Sequence, residues 1–300
     1  MDDDAGRAAA RLRAAAENVK MPETVLASFH EAPPEPTPGQ IWRAAWDEIV
    51  EVVVLRDVGD TDAAVVPVSF DTGFADSRAH VLPRDATTLG VAVAAWAEME
   101  RRLPVRVLHR CIGAVAGDMA STWPQSVPGA RQGRRIVTPV DPRAEHLAEL
   151  EDHLDALSEA DWAPAGTGLL AQWLRDSQVS IEELSRAAEC STAQALALRR
   201  GHAVATEREA EGLAPLLGRS VAEVLAANPP VPRPLRARLD QPVWRALVRR
   251  LAQLRDLPEK LAWQAAAYGT LRMAGRETAG DNEDIWDQRL ERFFQATLES

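Results

Sequence analysis

The 300-residue sequence predicts an α+β protein, a small β-barrel in the N-terminal half joined to an all-α C-terminal half. Three observations predict it. Short Val-rich runs punctuated by Gly, Asp and Pro fill positions 40–117, the texture of strands and tight turns. From 141 onward, apolar residues recur at helical spacing instead. Proline-rich stretches at 31–40 and 227–234, and a Pro, Gly, Ser and Arg mixture at 119–140, separate these textures as linkers do.

In chain order, "MDDDAGRAAARLRAAAENVK" (1–20) begins with aspartates and continues Ala-rich, so its charge suits the positive end of a helix dipole. "EAPPEPTPGQ" (31–40) holds four prolines and ends that helix, making 1–36 a helix and linker. Residues 37–118 form the barrel, with strands expected in "IWRAAW", "EIVEVVVL", "AAVVPVSF", "AHVLP" and "LPVRVLHRCIGAVAG". "GVAVAAWAEMERRL" (90–103) reads equally as a strand turning into a helix and as one helix. Residues 119–165 combine the second linker with a helix at 141–162, whose apolar positions are Leu147, Leu150, Leu154 and Leu157. A compact helical block follows at 166–228. The last region, 229–300, carries helices near 241–256, 259–275 and 282–298.

Composition narrows the function classes. A formal charge of −11 confines any nucleic-acid contact to a local patch, since phosphate binding needs a surplus of Lys and Arg. Cys111 and Cys190 stand far apart with no CxxC pattern, so neither a disulfide framework nor a metal site is expected. No apolar run approaches the ~18 residues of a membrane span, and three aspartates replace the basic start of an export signal. The expected location is the cytoplasm, with no membrane partner. Abundant Ala and Arg beside scarce Lys and Tyr suit a GC-rich bacterial origin.

In the helical block, Leu169, Leu170, Trp173 and Leu174 make one apolar face, and Ser180 precedes Glu183 at capping-box spacing. Ser191 or Thr192 caps the next helix, which Gly201 ends after Arg199 and Arg200. Leu213, Leu216, Leu217, Val221, Val224 and Leu225 complete a core for five short helices. "SIEELSRAAECST" and "LAPLLGRSVAEVLAA" resemble the XRE (Cro/repressor-like) helix-turn-helix family over about 60 residues. The resemblance implies that the helix from Thr192 enters the major groove of DNA. It departs from the family at Glu189, where a turn glycine is common, and at Arg199, where a glutamate is usual. Of the base-facing residues Ala193, Gln194 and Ala197, only Gln194 can form the bidentate bonds that discriminate bases. The candidate DNA-binding set is therefore Thr192, Gln194, Arg199 and Arg200, supported by Arg175, Arg186, Arg249 and Arg250. The last two belong to the basic run Arg233, Arg236, Arg238, Arg245, Arg249, Arg250 and Arg255, which also reads as the solvated face of an amphipathic helix.

"PGQIW" and "VVPVS" resemble the MazF/PemK toxin family, which implies an SH3-like barrel and a ribonuclease ancestry. That family pairs a catalytic arginine in an Arg-Pro dipeptide with a serine or threonine, and Ser69 occupies the second position as a residual barrel site. Val50-Glu51 stands where Arg-Pro would, so the cation that answers charge at the phosphate is missing. No catalytic residue, no cofactor and no enzymatic activity are expected. His146 and His153, i,i+7 on an acidic helix, read as a solvated face sooner than as a cation patch, and Asp71-Thr72-Gly73 reads as a turn. The expected function is a bacterial transcriptional regulator or antitoxin-like factor, homodimeric, binding DNA through the helix-turn-helix and sensing a protein partner from a neighbouring gene through the barrel. The alternative is a protein-interaction adaptor whose helix-turn-helix has left DNA, and the third reading is an RNA-binding or RNA-cleaving barrel.

Overall fold

The computed structural model describes residues 33–117, 141–164, 166–201, 203–274 and 283–298. The helix expected at 1–20 and the linker at 119–140 lie outside the described residues. The chain forms two compact units divided between Glu159 and Ala160, the first built on a sheet and the second entirely on helices. The protein is α+β. No described helix is long and apolar enough to cross a membrane.

Seven antiparallel strands make the sheet: β1 (Gln40–Trp46), β2 (Ile49–Val58), β3 (Asp62–Ser69), β4 (His80–Leu82), β5 (Val93–Ala95), β6 (Arg101–Pro104) and β7 (Leu108–Ala114). Their order is β4-β5-β3-β2-β1-β7, and β6 lies beside β3 as well. One edge of β3 is thus shared, with Asp62–Val65 facing β6 and Val68 and Ser69 facing β5. The segment 90–103 is neither of the forms expected from its pattern. It is β5, a 3-10 turn at Ala97–Met99, then β6.

Ile41, Val54, Val66, Leu82, Val93 and Val115 come from across the sheet into one buried core, so the sheet curls. It does not close into the expected barrel. Among the described residues no ladder joins β4 to β7, because β4 and β5 are only three residues each and Pro83 with the 3-10 turn Arg84–Ala86 carries the chain off the strand path. A single bridge, Thr87 to Val115, spans the gap.

Helix α1 (Pro142–Ser158) is capped by Asp141, whose side chain accepts from the Arg143 N–H. It buries Leu150, Leu154 and Leu157 and packs on β1, β2 and β6, so it is part of the sheet unit. Arg101 of β6 pairs with Asp155 at 2.9 Å and Glu151 at 3.3 Å on that helix.

The second unit contains α2 (Leu170–Asp176), α3 (Ile181–Ala187), α4 (Thr192–Arg200), α5 (Glu207–Leu217), α6 (Val221–Ala226), α7 (Arg233–Leu239), α8 (Pro242–Arg255), α9 (Glu259–Ala274) and α10 (Glu283–Leu298). Helices α2 to α6 share one core of Leu170, Leu174, Leu184, Ala195, Leu198, Leu213 and Val224. Gly212 lets α5 approach the end of α3 so closely that a Cβ would lie 1.8 Å from the Ala187 carbonyl oxygen. Fully buried Asn228 closes this block, its amide accepting from the Ala205 N–H at 2.8 Å and donating to the Ala205 carbonyl at 2.9 Å. Helices α7 to α10 surround Trp263 and Phe294, while the Trp162 indole donates to the buried Asp240 carboxylate at 2.6 Å.

Candidate nucleic-acid interface

The segment that resembles a helix-turn-helix in sequence folds as α3, a four-residue turn and α4. Ser180 and Glu183 cap α3 reciprocally: the Ser180 hydroxyl accepts from the Glu183 N–H at 3.2 Å, and Glu183 accepts from the Ser180 N–H at 3.0 Å. These bonds hold the Glu183 carboxyl below its ordinary range. In the turn, Glu189 adopts φ +46°, a left-handed conformation that favours glycine. The Ser191 hydroxyl then accepts from the Gln194 N–H and starts α4, and Gly201 at φ +75° ends it.

Ala195 and Leu198 anchor α4 in the core, which leaves Thr192, Ala193, Leu196 and Arg200 exposed. Gln194 is half-buried, and its amide nitrogen donates to Glu209 Oε1 at 3.1 Å. The other oxygen of this buried carboxylate accepts from the Thr206 N–H at 2.6 Å and hydroxyl at 2.7 Å. Withdrawing Gln194 would leave a buried acceptor unpaired at about 1–3 kcal/mol, as much as a bidentate base contact returns. Arg199 is likewise engaged, donating to the Val179 carbonyl at 3.0 Å, and Arg175 donates to the Arg199 carbonyl at 3.3 Å. The structure thus brings Arg175 and Arg199 together at the C-terminal end of α4. Arg186 is exposed in the last turn of α3.

Arg249 and Arg250 stand on α8, outside the five-helix core, with Arg249 3.9 Å from Glu259. Much of the basic run is answered internally. Arg236 meets Asp161 at 3.0 Å, Arg238 pairs with Asp287, and the buried Arg245 meets Glu259 at 2.9 Å. Residues 166–228 carry six arginines against eight acids, so any attraction for phosphate would have to come from placement and not from a surplus.

On the sheet unit, the Ser69 hydroxyl accepts from the Asp71 N–H at 3.2 Å, and Asp71 accepts from the Gly73 N–H at 2.9 Å, a side-chain-stabilised turn at the end of β3. The β1–β2 connection is a two-residue turn, Asp47-Glu48, with Asp47 at φ +49°. Beyond it Glu51 meets His153 Nδ1 of α1 at 2.5 Å, and burial pushes the Glu51 carboxyl up while this bond opposes the shift. His146 stacks on Phe74 with ring centroids 4.2 Å apart. The two histidines therefore face the sheet unit, where a solvated face was expected. Sequence reasoning found the i,i+7 spacing but not Glu51 as the partner, because the pair spans 102 positions. Among the described residues no group of three or more His, Cys, Asp or Glu side chains stands together as a metal site. Comparison with protein-family models, curated proteins and solved structures gave no match to this chain.

Proposed function

We propose that this protein is a homodimeric transcriptional regulator or antitoxin-like factor that binds duplex DNA through α3 and α4, while the curled sheet holds a protein partner without catalysing a reaction. The observation that carries this reading is α4 itself. It is anchored by Ala195 and Leu198 on a five-helix core and presents Thr192, Ala193, Leu196 and Arg200 outward, the disposition a groove-reading helix needs. Arg186 and Arg200 are exposed to meet phosphates, with Arg175, Arg199, Arg249 and Arg250 as further cationic candidates. The sheet lacks a cation at the position held by Glu51, which supports a holding role for it. The test is binding of the full chain to DNA from upstream of its own gene, measured across a salt series. Binding that weakens steeply with salt supports the reading, and absence of binding at low salt ends it.

A second reading, a protein-interaction adaptor, is favoured by one specific observation: the Gln194 side chain already serves Glu209. It predicts co-purification of a neighbouring gene product in nuclease-treated extract, together with no DNA binding.

A further inference from the structure

Between positions 229 and 255 the chain carries seven arginines and one acid, Asp240, in a protein whose formal charge is −11. Asp240 is buried, so no exposed acid stands on α7 or α8. Helix α8 packs on α9 and α10 and buries Trp244, Val248 and Leu251. Beside that buried face, Val243, Leu247, Arg250 and Leu254 follow at intervals of four, three and four residues, which sets them within an arc of about 60°. Val243 is 48% exposed and Leu254 61%, with Leu247 half-buried between them. Arg250 is exposed in the same row, and among the described residues no acid pairs with it. The row runs about 16 Å, three turns of a partner helix.

We infer that this side of α8 is a docking seam for an acidic amphipathic helix of another protein, whose apolar residues meet Val243, Leu247 and Leu254 while a carboxylate answers Arg250. The inference stands apart from DNA binding by α4 and adds a second partner surface to the sheet. Charge and shape together select the occupant. A second α8 would bring arginines to arginines. The acidic helix of this chain, α1, buries Leu150, Leu154 and Leu157 and presents Ala148 and Ala156 among its exposed acids, so a second copy offers no apolar row. A phosphate backbone would answer Arg250 and leave Val243 and Leu254 in water. A bilayer needs a wide apolar face, and that of α8 is spent on its own core.

The experiment titrates the full chain into two fluorescent peptides and follows anisotropy. Both are heptad helices with leucine at a and d, one with glutamate and the other with lysine at e and g. The glutamate peptide is expected to bind and the lysine peptide to stay free. Replacing Val243 and Leu254 together with Gln, at exposed sites that circular dichroism can show to leave the fold intact, is expected to weaken binding by about tenfold or more. Arg250→Glu is expected to exchange the preference, so that the lysine peptide binds and the glutamate peptide does not. Equal binding of both peptides, binding indifferent to the paired glutamine variant, or no binding of either peptide overturns the inference. A duplex DNA probe bound by the parent and released by Arg250→Glu, with neither peptide bound, also overturns it and gives the surface to phosphate.

Discussion

Glu189 holds a left-handed backbone at φ +46° without being a glycine, a cost of roughly 1–2 kcal/mol for an L residue. Its ion pair with Arg208 returns little, since both side chains are largely exposed. Glu189→Gly is therefore expected to stabilise the helical unit by about 0.5–1 kcal/mol, after the larger backbone entropy that glycine brings to the unfolded chain. Urea unfolding followed by helical circular dichroism measures it, and a loss of stability would show that Arg208 contributes more than an exposed pair should. At Gln194 the expectation reverses. Gln194→Ala is expected to cost about 1–3 kcal/mol in the same assay because Glu209 Oε1 loses its donor while buried. A neutral result would free Gln194 for base contact.

Three reciprocal caps, Ser180 with Glu183, Thr206 with Glu209 and Ser220 with Glu223, fix where α3, α5 and α6 begin. Glu183 and Glu223 are held below their ordinary 4.5 by hydrogen bonds from Ser180 and Ser220. A depressed carboxylate contributes stability that is complete above its unfolded value and is lost as pH falls through its folded one. Helical signal is thus expected to weaken below about pH 4.5, and the Glu183→Gln, Glu223→Gln variant to lose less of its stability over that range. Glu51 in β2 has the opposite sign. Burial raises it above 4.5, so the stability linked to its protonated form is present at low pH and is lost as pH rises through the raised value. Melting temperatures of Glu51→Gln and the parent, compared from pH 4 upward, are expected to shift in favour of the variant as pH rises. The Ser180 cap was read from the sequence because Glu183 lies three residues away, and the caps at Thr206 and Ser220, which have the same spacing, were not. The Val-rich strands were legible too, since β-branched runs between turn residues suit a pleated surface. Closure of the barrel was not, because it depends on how far β4 and β5 extend and on β3 sharing one edge between β5 and β6. The loyalties of Gln194, Arg236, Arg238 and Arg245 were hidden for a related reason. Their partners Glu209, Asp161, Asp287 and Glu259 lie 14 to 75 positions away, and only the folded helices bring them together.

Over the whole molecule, a formal charge of −11 opposes any polyanion, so on the proposed reading binding to DNA is confined to a few local phosphate contacts. On α2 to α4 the exposed arginines are Arg175, Arg186 and Arg200. If these three meet phosphates, log affinity should fall against log salt with a slope of about −3 per bound copy. Arg208 and Arg219 are exposed as well, but they pair with Glu189 and Glu223, and Arg219 also lies over the Trp173 ring. On α7 and α8, Arg233 and Arg255 are exposed cations outside the candidate set, beside the exposed Arg249 and Arg250 within it. Replacing Arg233 and Arg255 with Gln is expected to leave both affinity and slope unchanged. A parent slope near −5 that relaxes to about −3 in that variant would instead place α7 and α8 on the backbone of the duplex, giving the protein a second contact beside α4.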